Sequence, residues 1–282
     1  MIKKSKKIII VAGDPNSINS EIIYKSWKKL SKNVKKNIFI IGNYELFKRQ
    51  FKILNYTIKI NILKNLKDFF RSDALNIIDV NLNFSNPFNV TENNASEYII
   101  NSLNLAHNLS LNKNTLGMIN CPISKNLLKK EKTGVTEFLS EKCKIRKNSE
   151  VMMIISDKFS VCPITTHIDL KDVSKNIKTE KIILKLKTIN KFFFKIFKKK
   201  PRIGILGLNP HNAELRNKSK EVLEIIPAIK SLKRYGLNIK GPLVPDTIFI
   251  KDYRNFDVIV GMYHDQVLPT FKSIFKFDAI NL

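Results

Sequence analysis

The chain has 282 residues, 43% of them hydrophobic, which suffices for a large core in one large or two moderate domains and excludes a disordered or collagen-like protein. Its formal net charge of +26 would suit an anionic partner. The lysines, however, are spread through nearly every segment among many Ile and Asn, which points to a solvated basic face rather than a specific nucleic-acid surface. No stretch approaches the roughly 18 to 20 apolar residues of a membrane span, and the run at 8–12 is shorter than the roughly 7 to 15 residues of a signal-peptide core. A cytoplasmic protein with no membrane partner is therefore expected.

In chain order, 8–12, 38–41, 76–80 and 115–119 are predicted strands, and 21–30, 45–54 and 96–109 are predicted helices. Such alternation implies a mainly parallel sheet covered on both faces. Segments 151–156 and 159–164 stand close enough for a hairpin, so some antiparallel pairing is expected there. A lysine-rich amphipathic helix at 178–197 leads to a strand at 202–206. Then come a helix around 221–235, a turn at Gly241-Pro242 and a strand at 256–260. Neither an internal repeat nor a low-complexity linker interrupts the chain. Cys121, Cys143 and Cys162 are odd in number and contain no Cys-x-x-Cys pair, so each is expected to be a buried structural thiol.

Of the four histidines, His107 falls in the predicted helix 96–109 near the apolar stripe Ile99, Ile100, Leu103 and Ala106, and is expected to pack there or lie partly exposed rather than bind a ligand. The other three share a different setting. His167 in TTHIDL, His211 in GLNPHNAE and His264 in MYHDQ each lie just beyond an apparent strand, where the crevice of an open α/β sheet forms. Singly, each could cap a strand end or bond within a turn. Together they could hold a divalent metal and leave positions open for substrate or water.

Read as an ordered set, GDP at 13–15 with Glu21, CPISK at 121–125, TGVTEFL at 133–139, TTHIDL at 165–170, GLNPHNAE at 207–214, GPLVPDTIF at 241–249 and MYHDQVLPTFK at 262–272 resemble the 4-hydroxythreonine-4-phosphate dehydrogenase family of pyridoxal phosphate biosynthesis. The resemblance implies a two-lobed α/β/α fold like the isocitrate and isopropylmalate dehydrogenases, with lobe A at 1–130 plus 268–282 and lobe B at 131–267. It implies a homodimer with the active site at the subunit interface. It also implies oxidation of 4-phosphooxy-L-threonine with NAD or NADP, assisted by a divalent ion (Zn, Mg or Co). The β-keto acid product would decarboxylate to 3-amino-2-oxopropyl phosphate. By motif, His167, His211 and His264 would be the metal ligands, one of them contributed across the interface, while Thr136, Asp246, Lys272 and Asn281 would line the substrate site. The plainer alternatives are helix caps for Thr136 and Asp246, a solvated lysine for Lys272 and a turn residue for Asn281.

The chain also departs from the family pattern. Val135 stands where a histidine precedes the threonine of the family, Asn16-Ser17-Ile18-Asn19-Ser20 replaces a glycine-rich start, Val267 replaces a glycine, and 212–220 lacks expected glycines. Family members continue for several tens of residues past the equivalent of Asn281, so the resemblance implies a truncated chain. Three further functions follow from these departures and from the charge: a sister dehydrogenase acting on a phosphorylated sugar acid or a dihydrodiol carboxylate, an inactive remnant, and a basic nucleic-acid binder.

Overall fold

A computed structural model describes residues 6–128, 134–146 and 149–282. The chain divides into two compact units, Met1–Cys143 and Lys144–Leu282. The first contains β1 (Lys7–Val11), α1 (Asn19–Lys29), α2 (Lys32–Lys35), β2 (Ile38–Gly42), α3 (Tyr44–Ile53), β3 (Lys59–Leu63), β4 (Ala74–Asp79), α4 (Glu92–Ser110), β5 (Thr115–Asn120) and α5 (Val135–Lys142). Its five strands pair in the order β3-β4-β2-β1-β5, all in parallel. Side chains alternate across a strand, and here the alternation separates two cores. Ile9, Val11, Phe39 and Ile41 pack with Tyr98, Ile99 and Leu103 of α4, whereas Ile38, Ile40, Leu75 and Ile77 pack with Ile23 and Trp27 of α1 and with Phe47 and Phe51 of α3. This is the doubly covered parallel sheet that the sequence predicts.

The second unit contains β6 (Ile154–Ile155), β7 (Ser160–Thr165), α6 (Leu170–Asn176), α7 (Thr179–Phe197), β8 (Ile203–Leu206), α8 (Ile226–Arg234), β9 (Ile239–Leu243), α9 (Pro245–Ile248), β10 (Val258–Tyr263), α10 (His264–Phe275) and β11 (Ile280–Asn281). The sheet order is β11-β6-β7-β10-β8-β9. Antiparallel pairing is confined to β6, which forms the expected hairpin with β7 and also pairs β11. Cys162, Ile205, Val258 and Val260 face Ile182, Leu186 and Leu232 of α7 and α8, while Val161 and Ile259 face Val267 and Phe271 of α10.

Residues 268–282, expected in the first lobe, lie in the second unit, where the Phe271 ring packs tilted against Phe159 with centroids 5.2 Å apart. Gly241-Pro242 is part of a strand rather than a turn: β9 is the last strand of its sheet, where a residue without N–H costs no ladder bond. Cys121 and Cys162 are buried, and burial pushes their thiols up to about 11 and about 12 respectively. Cys143 is exposed, contrary to expectation, because it caps α5 at the surface beside His107 Nδ1, 3.8 Å away.

Candidate active site

In the second unit β7, β10, β8 and β9 run side by side and parallel, so their carboxyl ends share one edge. His167 follows β7, His264 opens α10 directly after β10, His211 follows β8, and Asp246 lies in the first turn of α9 after β9. That edge is where parallel α/β sheets bind their ligands. The imidazoles of His167 and His264 face each other with centroids 5.7 Å apart and planes inclined by 42°. His264 Nδ1 lies 2.6 Å from Asp265 Oδ1. A carboxylate can only accept, so the proton sits on Nδ1 and the Nε2 lone pair is left for a ligand.

His211 occupies a segment with left-handed backbone and is exposed. Among the described residues no group of three or more His, Cys, Asp or Glu side chains could hold a metal ion, so this chain brings together two of its three predicted ligands. The loop carrying His211 is anchored by Glu221, which is fully buried. Its Oε1 accepts from Leu208 N and Asn209 N, each at 2.8 Å, and the Asn209 amide donates to both carboxylate oxygens. Burial raises the Glu221 pKa, but these bonds outweigh it and hold the group below the usual carboxylate value. Asp265, Gln266 and Glu221 carry no role in the sequence reading. Their signal is the polar type at a helix start or in a buried turn, which requires partners.

Asp246 is exposed and follows Val244, the N-cap of α9, so it is not the cap. Lys272 is exposed on α10, eight residues from His264 and thus about 12 Å along the helix axis. Asn281 lies in a strand rather than a turn. It pairs Ile154, which pairs Val161, four residues before the end of β7 and so about 13 Å back from the histidine edge.

In the first unit, Thr136 is exposed at the second residue of α5, whose N-cap is Gly134, while the preceding motif residue Thr133 lies outside the described residues. Val135 packs against the core that includes Phe138. The loops after β1 and β5 meet: Gly13 takes φ +75°, where an added Cβ would stand 2.6 Å from Pro122 O, and Asn19 Nδ2 donates to the same oxygen at 2.8 Å. Asn19 Oδ1 and Ser20 Oγ are buried without a hydrogen-bond partner.

A largely parallel sheet covered on both faces, with polar side chains gathered past its strand ends, is the architecture in which α/β enzymes place their small-molecule sites. The family profile described as "Pyridoxal phosphate biosynthetic protein PdxA" matches residues 34–282, and the chain belongs to this family of oxidoreductases. The 4-hydroxythreonine-4-phosphate dehydrogenase of Sulfurihydrogenibium sp. (strain YO3AOP1) is 36% identical over 98% of this chain and 85% of its own length. The enzyme of the same name from Aquifex aeolicus (strain VF5) is 34% identical over 98% and 86%. The crystal structure of a 4-hydroxythreonine-4-phosphate dehydrogenase from Burkholderia phymatum superposes with a TM-score of 0.83 at 27% identity, covering 96% of this chain and 84% of that one.

Proposed function

We propose that this chain oxidises 4-phosphooxy-L-threonine with NAD or NADP to a β-keto acid that decarboxylates to 3-amino-2-oxopropyl phosphate, a step in making pyridoxal 5'-phosphate. The observation that carries it is the facing pair His167 and His264 on the carboxyl edge of a parallel sheet, in a chain of this family. Of Zn, Mg and Co, neutral imidazole nitrogens favour Zn and Co over Mg, which prefers oxygen ligands, and the Asp265 bond fixes the His264 tautomer that a ligand needs. A divalent ion bound there supplies Lewis acidity, lowering the pKa of the substrate alcohol and polarising the ketone that follows.

His211 completes the ligand set across the interface of a homodimer, in accord with its exposure and its separation from the other two. The Asp246 carboxylate on the strand-end edge offers an acceptor for the substrate ammonium, and the Lys272 ammonium on α10 a donor for its phosphate. Hydride passes to the nicotinamide of NAD or NADP, and the protein works in the cytoplasm. No described helix is long and apolar enough to cross a membrane.

The test is metal analysis and NAD(P)H formation with 4-phosphooxy-L-threonine for the wild type and four alanine variants. His167→Ala, His211→Ala and His264→Ala are expected to lose bound metal and turnover, and His107→Ala to retain both. Unchanged metal content in all three motif variants would remove the histidine site.

A further inference from the structure

The ladder between β10 and β8 ends at Val260 and Ile205. Two residues further on, Met262 and Gly207 no longer bond to each other, and a side chain fills the gap. Gln266 Oε1 accepts from Met262 N at 2.6 Å, and Gln266 Nε2 donates to Gly207 O at 2.7 Å. On the other side of β10, Thr165 Oγ1 of β7 donates to Met262 O at 2.8 Å. Gly207 N in turn donates to Leu243 O of β9 at 3.0 Å. A continuous row of hydrogen bonds thus crosses four strand ends directly beneath the histidine edge, and Met262, two residues before His264, has both backbone groups taken by side chains.

The partners fix the orientation of the Gln266 amide. Met262 N–H can only donate and Gly207 C=O can only accept, so neither a carboxylate nor an apolar side chain can serve both. Space is equally restricted. A Cβ on Gly261 would stand 3.1 Å from Gln266 Oε1 and 2.6 Å from Val267 Cγ1, and one on Gly207 would stand 2.1 Å from Asn212 Oδ1.

We propose that Gln266 is a positioning residue for the metal site: its amide clamps the end of β10 to β8, with Thr165 holding the β7 side, and thereby sets His264 against His167. The proposal rests on the histidine pair being the metal site. A glutamine three residues past an N-cap often returns to the backbone before its helix, and that bond alone would serve only helix stability. The second arm, to a different strand, is not needed for capping and points to alignment of the strand ends.

The test uses Co2+ as the probe with the full-length chain. Gln266→Met keeps the length and removes both hydrogen bonds. Its Co2+ dissociation constant is expected to rise about 10- to 100-fold, the range for loss of groups that orient metal ligands, with an altered visible absorption spectrum. The metal-free melting temperature should fall only modestly, because two buried backbone groups lose their partner while the packing of α10 is kept. His264→Ala, measured in parallel, should lose Co2+ altogether; if it binds normally, the histidine site itself is refuted and this inference with it. Wild-type affinity and spectrum in Gln266→Met, with His264→Ala impaired, would overturn the positioning role alone. So would weakened binding that merely follows a large fall in melting temperature. If Gln266→Met does not fold, Gln266→Glu, which keeps the acceptor for Met262 N and replaces only the donor to Gly207, carries the same expectations.

Discussion

Five consecutive residues, His211 to Leu215, hold φ between 49° and 57° without a glycine among them. For side chains other than glycine this left-handed backbone costs roughly 1 to 2 kcal/mol per residue. The loop adopts this backbone without any glycine, and other contacts hold it. Asn212 Nδ2 donates to Pro242 O at 3.2 Å, Ala213 is buried, and Glu221 grips the preceding turn. Glu214 is exposed and at φ 50°, so Glu214→Gly should stabilise the protein by about 1 kcal/mol in urea denaturation. A neutral or destabilising result would show that the segment is relaxed in solution. Val267 carries no such cost: it sits in helix α10, fully buried, and its methyls fill the space beside Gly261. Val135 likewise has found a packing role, so Val135→His would place an imidazole against an apolar cluster. That variant should lose about 1 to 3 kcal/mol of stability by the same denaturation measurement. Wild-type stability would mean that position 135 can turn to solvent.

At the scale of elements, the loop between β8 and α8 depends on one carboxylate. Glu221→Ala would leave two backbone N–H groups and the Asn209 amide without their acceptor, a loss of about 2 to 3 kcal/mol. Because the folded pKa of Glu221 is lowered, its contribution is fully present above about pH 4.3, the unfolded value, and is lost as the pH falls through the lower folded value. The urea midpoint of Glu221→Ala should accordingly change less between about pH 5 and pH 3 than that of the wild type. Parallel pH profiles would refute the linkage. The same loop shows where sequence periodicity stops being informative. Strands β2, β4, β8 and β10 are legible as continuous apolar runs because both of their faces are covered. Strand β3, reading Lys-Ile-Asn-Ile-Leu at the sheet edge, is not, since an exposed edge tolerates lysine and asparagine. Helix α10 begins with His264, Asp265 and Gln266 and contains Pro269, so neither its start nor its interior has an ordinary helical pattern. The placement of His167, His211 and His264 past strand ends was legible because each follows a buried strand. The 5.7 Å approach of only two of them is not, because it depends on strand order, which local sequence does not encode.

For the whole molecule, the net charge of +26 is the property most apt to mislead. Its distribution argues against a reading surface. In the basic cluster at 195–202, Lys199 Nζ and the Arg202 side chain and backbone N–H all bond to Asp257, at 3.0, 3.3 and 2.8 Å, and Asp257 is held below the usual carboxylate value despite its burial. The other tight cluster, at 3–7, falls partly outside the described residues, and the side chain of Lys7 lies over Phe70 and donates to Lys36 O. Three cations of these clusters, Lys7, Lys199 and Arg202, are thus engaged within the fold. The remaining lysines are dispersed, which produces a long-range field without a fixed geometry. That field suits gathering a small phosphorylated substrate, and its effect on nucleic acid should be wholly non-specific. Fluorescence anisotropy with duplexes of unrelated sequence should give equal, weak binding at low salt. Affinity should fall steeply, as counterion release requires, by about 10³-fold or more between 50 and 200 mM salt. Binding that distinguishes sequences and persists at physiological salt would require an organised contact surface and would overturn this account of the charge.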